Sequence, residues 1–144
     1  MSLRSAARTL SPVDVALRLA IVALVLSTAY IHSTLGGLLF TLNALGYLTA
    51  AVAIIIPLAI AVRFRWFIRL GLIAYAAATI IGWAIQGPYF MTAYIAKAIE
   101  VALIALVALD FARMDGNPID VVRNELSLLA SKLGRRQATG SAGA

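Results

Sequence analysis

Lys97 and Glu100 interrupt an otherwise apolar run over residues 91–113, MTAYIAKAIEVALIALVALDFAR. The run is long enough to cross a bilayer as a helix, and a charged side chain at membrane depth costs about 2.5–3.5 kcal/mol on insertion scales. Such a residue needs a partner or a task. Spaced i, i+3, the ammonium and the carboxylate share a helix face and neutralise each other. Their chemistry is that of a proton-coupling carboxylate with a neighbouring cation, or of a polar anchor for a ligand. The bland alternative for Lys97 is snorkelling to the headgroups, since it lies about 8–9 Å from the helix start at 1.5 Å per residue. For Glu100 it is a structural hydrogen bond to Asn43, His32 or Tyr47.

Other polar residues recur in the neighbouring apolar runs. His32, the chain's single histidine, stands near the end of the first run. Asn43 and Tyr47 are one turn apart on the second. Tyr75, Thr79, Trp83 and Gln86 make a stripe at i+4, i+4 and i+3 on the third, and Tyr94, Lys97 and Glu100 make one at i+3 steps on the fourth. His32, Asn43, Tyr47, Trp83, Gln86, Tyr94, Lys97 and Glu100 are therefore the candidate ligand-binding or proton-coupling residues. Plainer roles compete: interhelical glue for Asn43, and an outer aromatic belt of Trp83, Tyr89, Phe90 and Tyr94.

Several chemistries fail on residue type. One histidine cannot ligate haem from both sides; a single axial ligand to haem or a chlorophyll-type pigment is all His32 can supply. His32 and Glu100 are too few strong ligands for a zinc site. Ser33 adjoins His32, but no motif sets a base against it. With no cysteine in 144 residues, disulfides, iron–sulfur clusters and thiol redox chemistry within the chain are excluded. No enzyme is expected, and no cofactor is assigned.

These residues need spans to position them. The chain is 62% hydrophobic and 12% charged, with a mean hydropathy of +0.96, far from the balance of a soluble domain. The expected fold is an all-α integral membrane protein: a four-transmembrane-helix up-down bundle with spans near 13–35, 38–62, 67–86 and 91–113. Ser11-Pro12-Val13-Asp14 opens the first span as N-cap, first-turn proline and dipole-matched acid. Gly36-Gly37 ends it, Pro57 loosens the second, and Gly87-Pro88 ends the third. Gly71, Gly82 and the alanines at 74–78 suggest close helix packing. Asp110 with Arg113 reads as an i, i+3 pair at the inner end of the fourth.

The net charge of +6 lies at the ends of apolar segments, which favours anionic lipid headgroups over nucleic acid. Arg4, Arg8, Arg63, Arg65, Arg69 and Arg113 fall on one side of four spans and no Lys or Arg falls in the other side's loops. Both termini are therefore expected in the cytoplasm, in the cell membrane. Residues 114–134 repeat Ile119, Val122, Leu126, Leu129 and Leu133 at helical spacing, as an amphipathic interfacial helix does. Residues 135–144 read as a disordered basic tail.

In length and span number the chain resembles the small multidrug-resistance exporters, which use a membrane glutamate for proton coupling. Their glutamate lies in the first span, whereas Glu100 lies in the fourth. It resembles four-helix thiol–quinone oxidoreductases in span count alone, lacking their cysteines. The leading expectation is a non-enzymatic accessory or scaffold subunit of a membrane complex, with a protein partner or a second copy. The alternatives are a proton- or ion-coupled small transporter using Glu100, and a binder of lipid, quinone, pigment or metal.

Overall fold

The computed structural model describes residues 11–55, 64–114, 116–117, 119–124, 126–128 and 130–131. Helices α1 (Pro12–Thr34), α2 (Leu38–Ile55), α3 (Arg65–Gln86) and α4 (Met91–Met114) follow in order, and no strand occurs among the described residues. The fold is all-α. Three helices, α1 to α3, are long and apolar enough to cross a membrane by length and composition.

Helix α1 starts where its sequence says it should. The Ser11 hydroxyl accepts the Asp14 amide at 3.2 Å, and Asp14 Oδ2 accepts the Ser11 amide at 3.0 Å. Two orphan donors of the first turn are thus satisfied reciprocally. The helix ends at Leu35, and Gly36 and Gly37 follow at φ 71° and 84°, the left-handed region that glycine enters without a Cβ penalty. Gly87, at φ 71°, closes α3 by donating its amide to the Trp83 carbonyl at 2.8 Å.

Helix α3 begins at Arg65, two residues before the expected start, so Arg65 and Trp66 are helical. The expected inner part of the second span, residues 56–62 with Pro57, lies outside the described residues, as does the tail over 135–144.

The chain divides into two compact units, one through Asp110 and one from Phe111 onward. In the second unit, residues 119–124, 126–128 and 130–131 are helical, and Ile119 and Leu126 are exposed.

In the first unit, α1 packs most extensively on α2, and α2 packs on α3. The core joins Leu17, Ile21, Val25 and Ala29 of α1, Tyr47 and Ala51 of α2, Leu72 and Ala76 of α3, and Leu103 and Val107 of α4. The buried stripe of α1 runs 14, 17, 21, 25, 28, 32, the i+3/i+4 pattern of a core-facing helix. Its middle is aliphatic, but its ends are Asp14 on one side and Thr28 and His32 on the other. On α4, likewise, Leu103 and Val107 lie between Lys97 and Glu100 at one end and Asp110 at the other, all buried. The core is apolar in the middle and polar at both ends.

Candidate functional site

Glu100 is wholly buried and gathers partners from three helices. Its Oε2 accepts Lys97 Nζ at 2.7 Å and the Thr79 hydroxyl of α3 at 2.8 Å. Its Oε1 accepts the Thr28 hydroxyl of α1 at 3.3 Å and lies 3.7 Å from His32 Nε2. A buried carboxylate survives only with such compensation. Lys97 completes its own shell through the Thr79 carbonyl at 3.3 Å. It is 8% exposed, so it does not snorkel: its charge is turned inward onto Glu100.

His32 is fixed from both sides. Its Nδ1 stands 2.8 Å from the Thr28 carbonyl of the preceding turn. A carbonyl only accepts, so Nδ1 carries the hydrogen. The ring lies between Phe40 and Tyr47 of α2, at centroid distances of 6.2 and 5.7 Å. Tyr47, fully buried, reaches Thr79 Oγ1 at 3.1 Å. Since Thr79 gives its hydrogen to Glu100 in this arrangement, Tyr47 is the donor. Beside it, the Tyr75 hydroxyl donates to Asn43 Oδ1 at 2.8 Å.

A cavity of about 380 Å³ opens beside this network, at the end of the unit where Leu35 follows α1 and Gly87-Pro88 follows α3. His32, Asn43, Trp83, Gln86 and Lys97 line it, with Tyr75, Thr79 and apolar wall from Leu39, Phe40 and Ala78. Its size and its few polar groups on apolar wall are those of a small-molecule site. Trp83 is held in place by donating Nε1 to the Pro88 carbonyl at 2.7 Å and by edge contacts with Tyr89 and Tyr94. Gly82 also lines the cavity, and a Cβ built there meets nothing within 4 Å.

Five of the eight expected site residues thus meet in one cavity wall. Tyr47 and Glu100 sit behind the wall and support it. Tyr94 does not join them: it is 51% exposed and only braces Trp83. Steps of i+3 fall 60° short of a full turn, so the stripe has rotated away by two steps. Glu100 does not bond to Asn43, whose Oδ1 accepts from Tyr75; Tyr47 bonds to Thr79, itself a donor to Glu100 Oε2. The close packing expected at Gly71 and Gly82 is absent, for both glycines face open space. Gly46 is the close approach instead, where an added Cβ would lie 2.8 Å from Tyr75 Cζ.

Sequence reading missed Thr28. A mid-span threonine carries little signal alone, but extending the buried stripe from Leu17, Ile21 and Val25 lands on Thr28 and then His32. It also missed the second polar node. Arg69 of α3, counted as a headgroup cation, is buried and grips Asp110 Oδ2 through Nε at 2.7 Å and Nη2 at 2.6 Å. Sequence spacing alone pairs Asp110 with Arg113, one turn on. Asp110 Oδ1 and Arg18 Nη2 are buried without a hydrogen-bond partner, and both residues line a small cavity of about 20 Å³.

Among the described residues no three His, Asp or Glu gather as they would to hold a metal ion. Comparison with known protein families, with curated proteins and with solved structures finds no match.

Proposed function

We propose that this is a non-enzymatic membrane protein that binds a small amphiphilic molecule in the cavity beside Lys97. The observation that carries the reading is the pairing of that cavity with a fully buried Glu100, held by side chains from α1, α3 and α4. A polar network of this kind inside an apolar bundle costs stability unless every member is satisfied. Its location beside a ligand-sized cavity gives it a use.

In this reading α4 crosses the membrane with α1, α2 and α3, as an up-down bundle with both termini in the cytoplasm of the cell. The short turns after α1 and α3, the 24-residue length of α4 and the arginines at the other end support it. The cavity then lies in the outer half of the bilayer, and residues 119–131 lie along the inner leaflet among anionic headgroups.

A second reading, proton-coupled movement of the bound molecule, is favoured by the His32–Glu100 contact at 3.7 Å. The accessory-subunit reading draws on the amphipathic segment after α4 and on a protein partner or second copy still to be found. Native mass spectrometry of gently extracted protein separates the three. A stoichiometric small molecule that is lost in Gly82→Phe, which fills the cavity, supports the binding site. A co-extracted protein with an empty cavity favours the accessory subunit instead. Loss of flux in Glu100→Gln with ligand still bound would add the carrier function.

A further inference from the structure

The cavity wall is one-sided in charge. Glu100 stands behind it, and among the described residues no carboxylate lines it. Lys97 does line it, and two of its three N–H groups are engaged, with Glu100 and with the Thr79 carbonyl. That leaves one N–H uncommitted on a cation that lines the cavity. Asn43 adds donors, because its Oδ1 already accepts from Tyr75 and its amide hydrogens have no partner among the described residues. A cation and N–H donors against Leu39, Phe40 and Trp83 match an anionic head on an apolar tail.

His32 adds the second half of the argument. With its Nδ1 hydrogen committed to the Thr28 carbonyl, the neutral ring turns an unprotonated Nε2 toward Glu100 Oε1. The groups around His32 are Thr28 on its own helix, Phe40 and Tyr47 on α2, and Glu100 with Lys97 behind it on α4. On α3, Tyr75 touches Tyr47 and Thr79 bonds to Glu100. With His32 neutral, Lys97 and Glu100 sum to zero. A bound carboxylate makes the buried cluster net negative, which a low-dielectric site resists. One proton on His32 Nε2 restores neutrality and adds a charged donor facing Glu100 Oε1.

We propose that the cavity binds lipophilic carboxylic acids as anions at Lys97, and that each anion enters together with one proton taken up by His32. The inference rests on the reading of the cavity as a ligand site. It is tested in nanodiscs of zwitterionic lipid with Trp66→Phe protein, which leaves Trp83 as the sole one of the chain's 2 tryptophans. The readout is quenching of Trp83 by a terminally brominated octanoic acid and by the matching brominated octanol.

The acid is expected to quench saturably and roughly tenfold more tightly than the alcohol, about 1.4 kcal/mol. Its affinity is expected to fall as pH rises, by up to about tenfold per unit for one linked proton, and His32→Gln flattens that dependence. The double variant Lys97→Met/Glu100→Gln removes the cation with its counter-ion, so no buried charge is stranded, and it abolishes the preference for the acid. Equal, saturable quenching by acid and alcohol overturns the anion site while leaving a ligand site. An unchanged pH dependence in His32→Gln overturns the role of His32. Non-saturable quenching by both, unaffected by Gly82→Phe, overturns the cavity reading itself.

Discussion

Lys97 and Glu100 are not equivalent partners, although they form one ion pair. Glu100 has no route to solvent, whereas Lys97 lines a cavity. Removing the cation strands a buried carboxylate, so Lys97→Met should destabilise by about 3–5 kcal/mol. Glu100→Gln leaves an ammonium that can turn into the cavity and should cost clearly less. The double variant should recover most of the Lys97→Met loss. Thermal unfolding of the four proteins in detergent gives the cycle, and equal losses from the two single changes would contradict the asymmetry. At the other polar node, Arg69→Met strands Asp110 in the same way and is expected to cost a similar amount.

The pair was legible in the sequence because i, i+3 spacing within one helix is a local property. What lay across from it was not. Thr79 and Thr28 reach Glu100 over separations of 21 and 72 residues, and Arg69 reaches Asp110 over 41. A periodicity argument places residues on faces but does not say which faces meet. Tyr94 shows the other limit, since an i+3 stripe drifts around a helix and two steps were enough to carry it out of the site.

At the scale of elements, two glycines predict opposite outcomes. At Gly46, α2 comes so close to α3 that a methyl group would press on the Tyr75 ring. Gly46→Ala should displace that ring, weaken its bond to Asn43 and cost about 1–3 kcal/mol as an overpacking change. Tyr75→Leu in the same protein should restore part of the loss. Gly82 sits within α3 beside open space, so Gly82→Ala should instead stabilise by about 0.5–1 kcal/mol through helix propensity. Chemical denaturation or thermal melting ranks the two. Destabilisation at Gly82 would mean that the cavity wall is closed there. The start of α1, by contrast, was readable residue by residue, because a capping box needs only the four positions Ser11 to Asp14.

At the scale of the whole molecule, the question is whether α4 crosses. Four crossings return the C-terminus to the side of the N-terminus, while three leave the termini on opposite sides. The chain has no cysteine, so single introduced thiols report cleanly. Thr34→Cys, at the end of α1, should react with an impermeant maleimide on intact cells. Ser131→Cys should react only after permeabilisation. Labelling of both on intact cells would remove the four-crossing arrangement. Composition and mean hydropathy made the membrane class plain from the sequence. The division of the chain after Asp110 was not, because α4 runs through it without a break.

The Thr79 hydroxyl has one hydrogen and two acceptors equally near, the Ala76 carbonyl of its own helix at 2.8 Å and Glu100 Oε2 at 2.8 Å. Replacing the carboxylate by an amide, as in Glu100→Gln, is expected to shift the balance toward the carbonyl. A threonine bonded back to its own helix often bends that helix, so the curvature of α3 is expected to respond to the charge carried at position 100 of α4. A carbon-13 label at the Ala76 carbonyl would make this visible as an infrared band that shifts to lower frequency in Glu100→Gln.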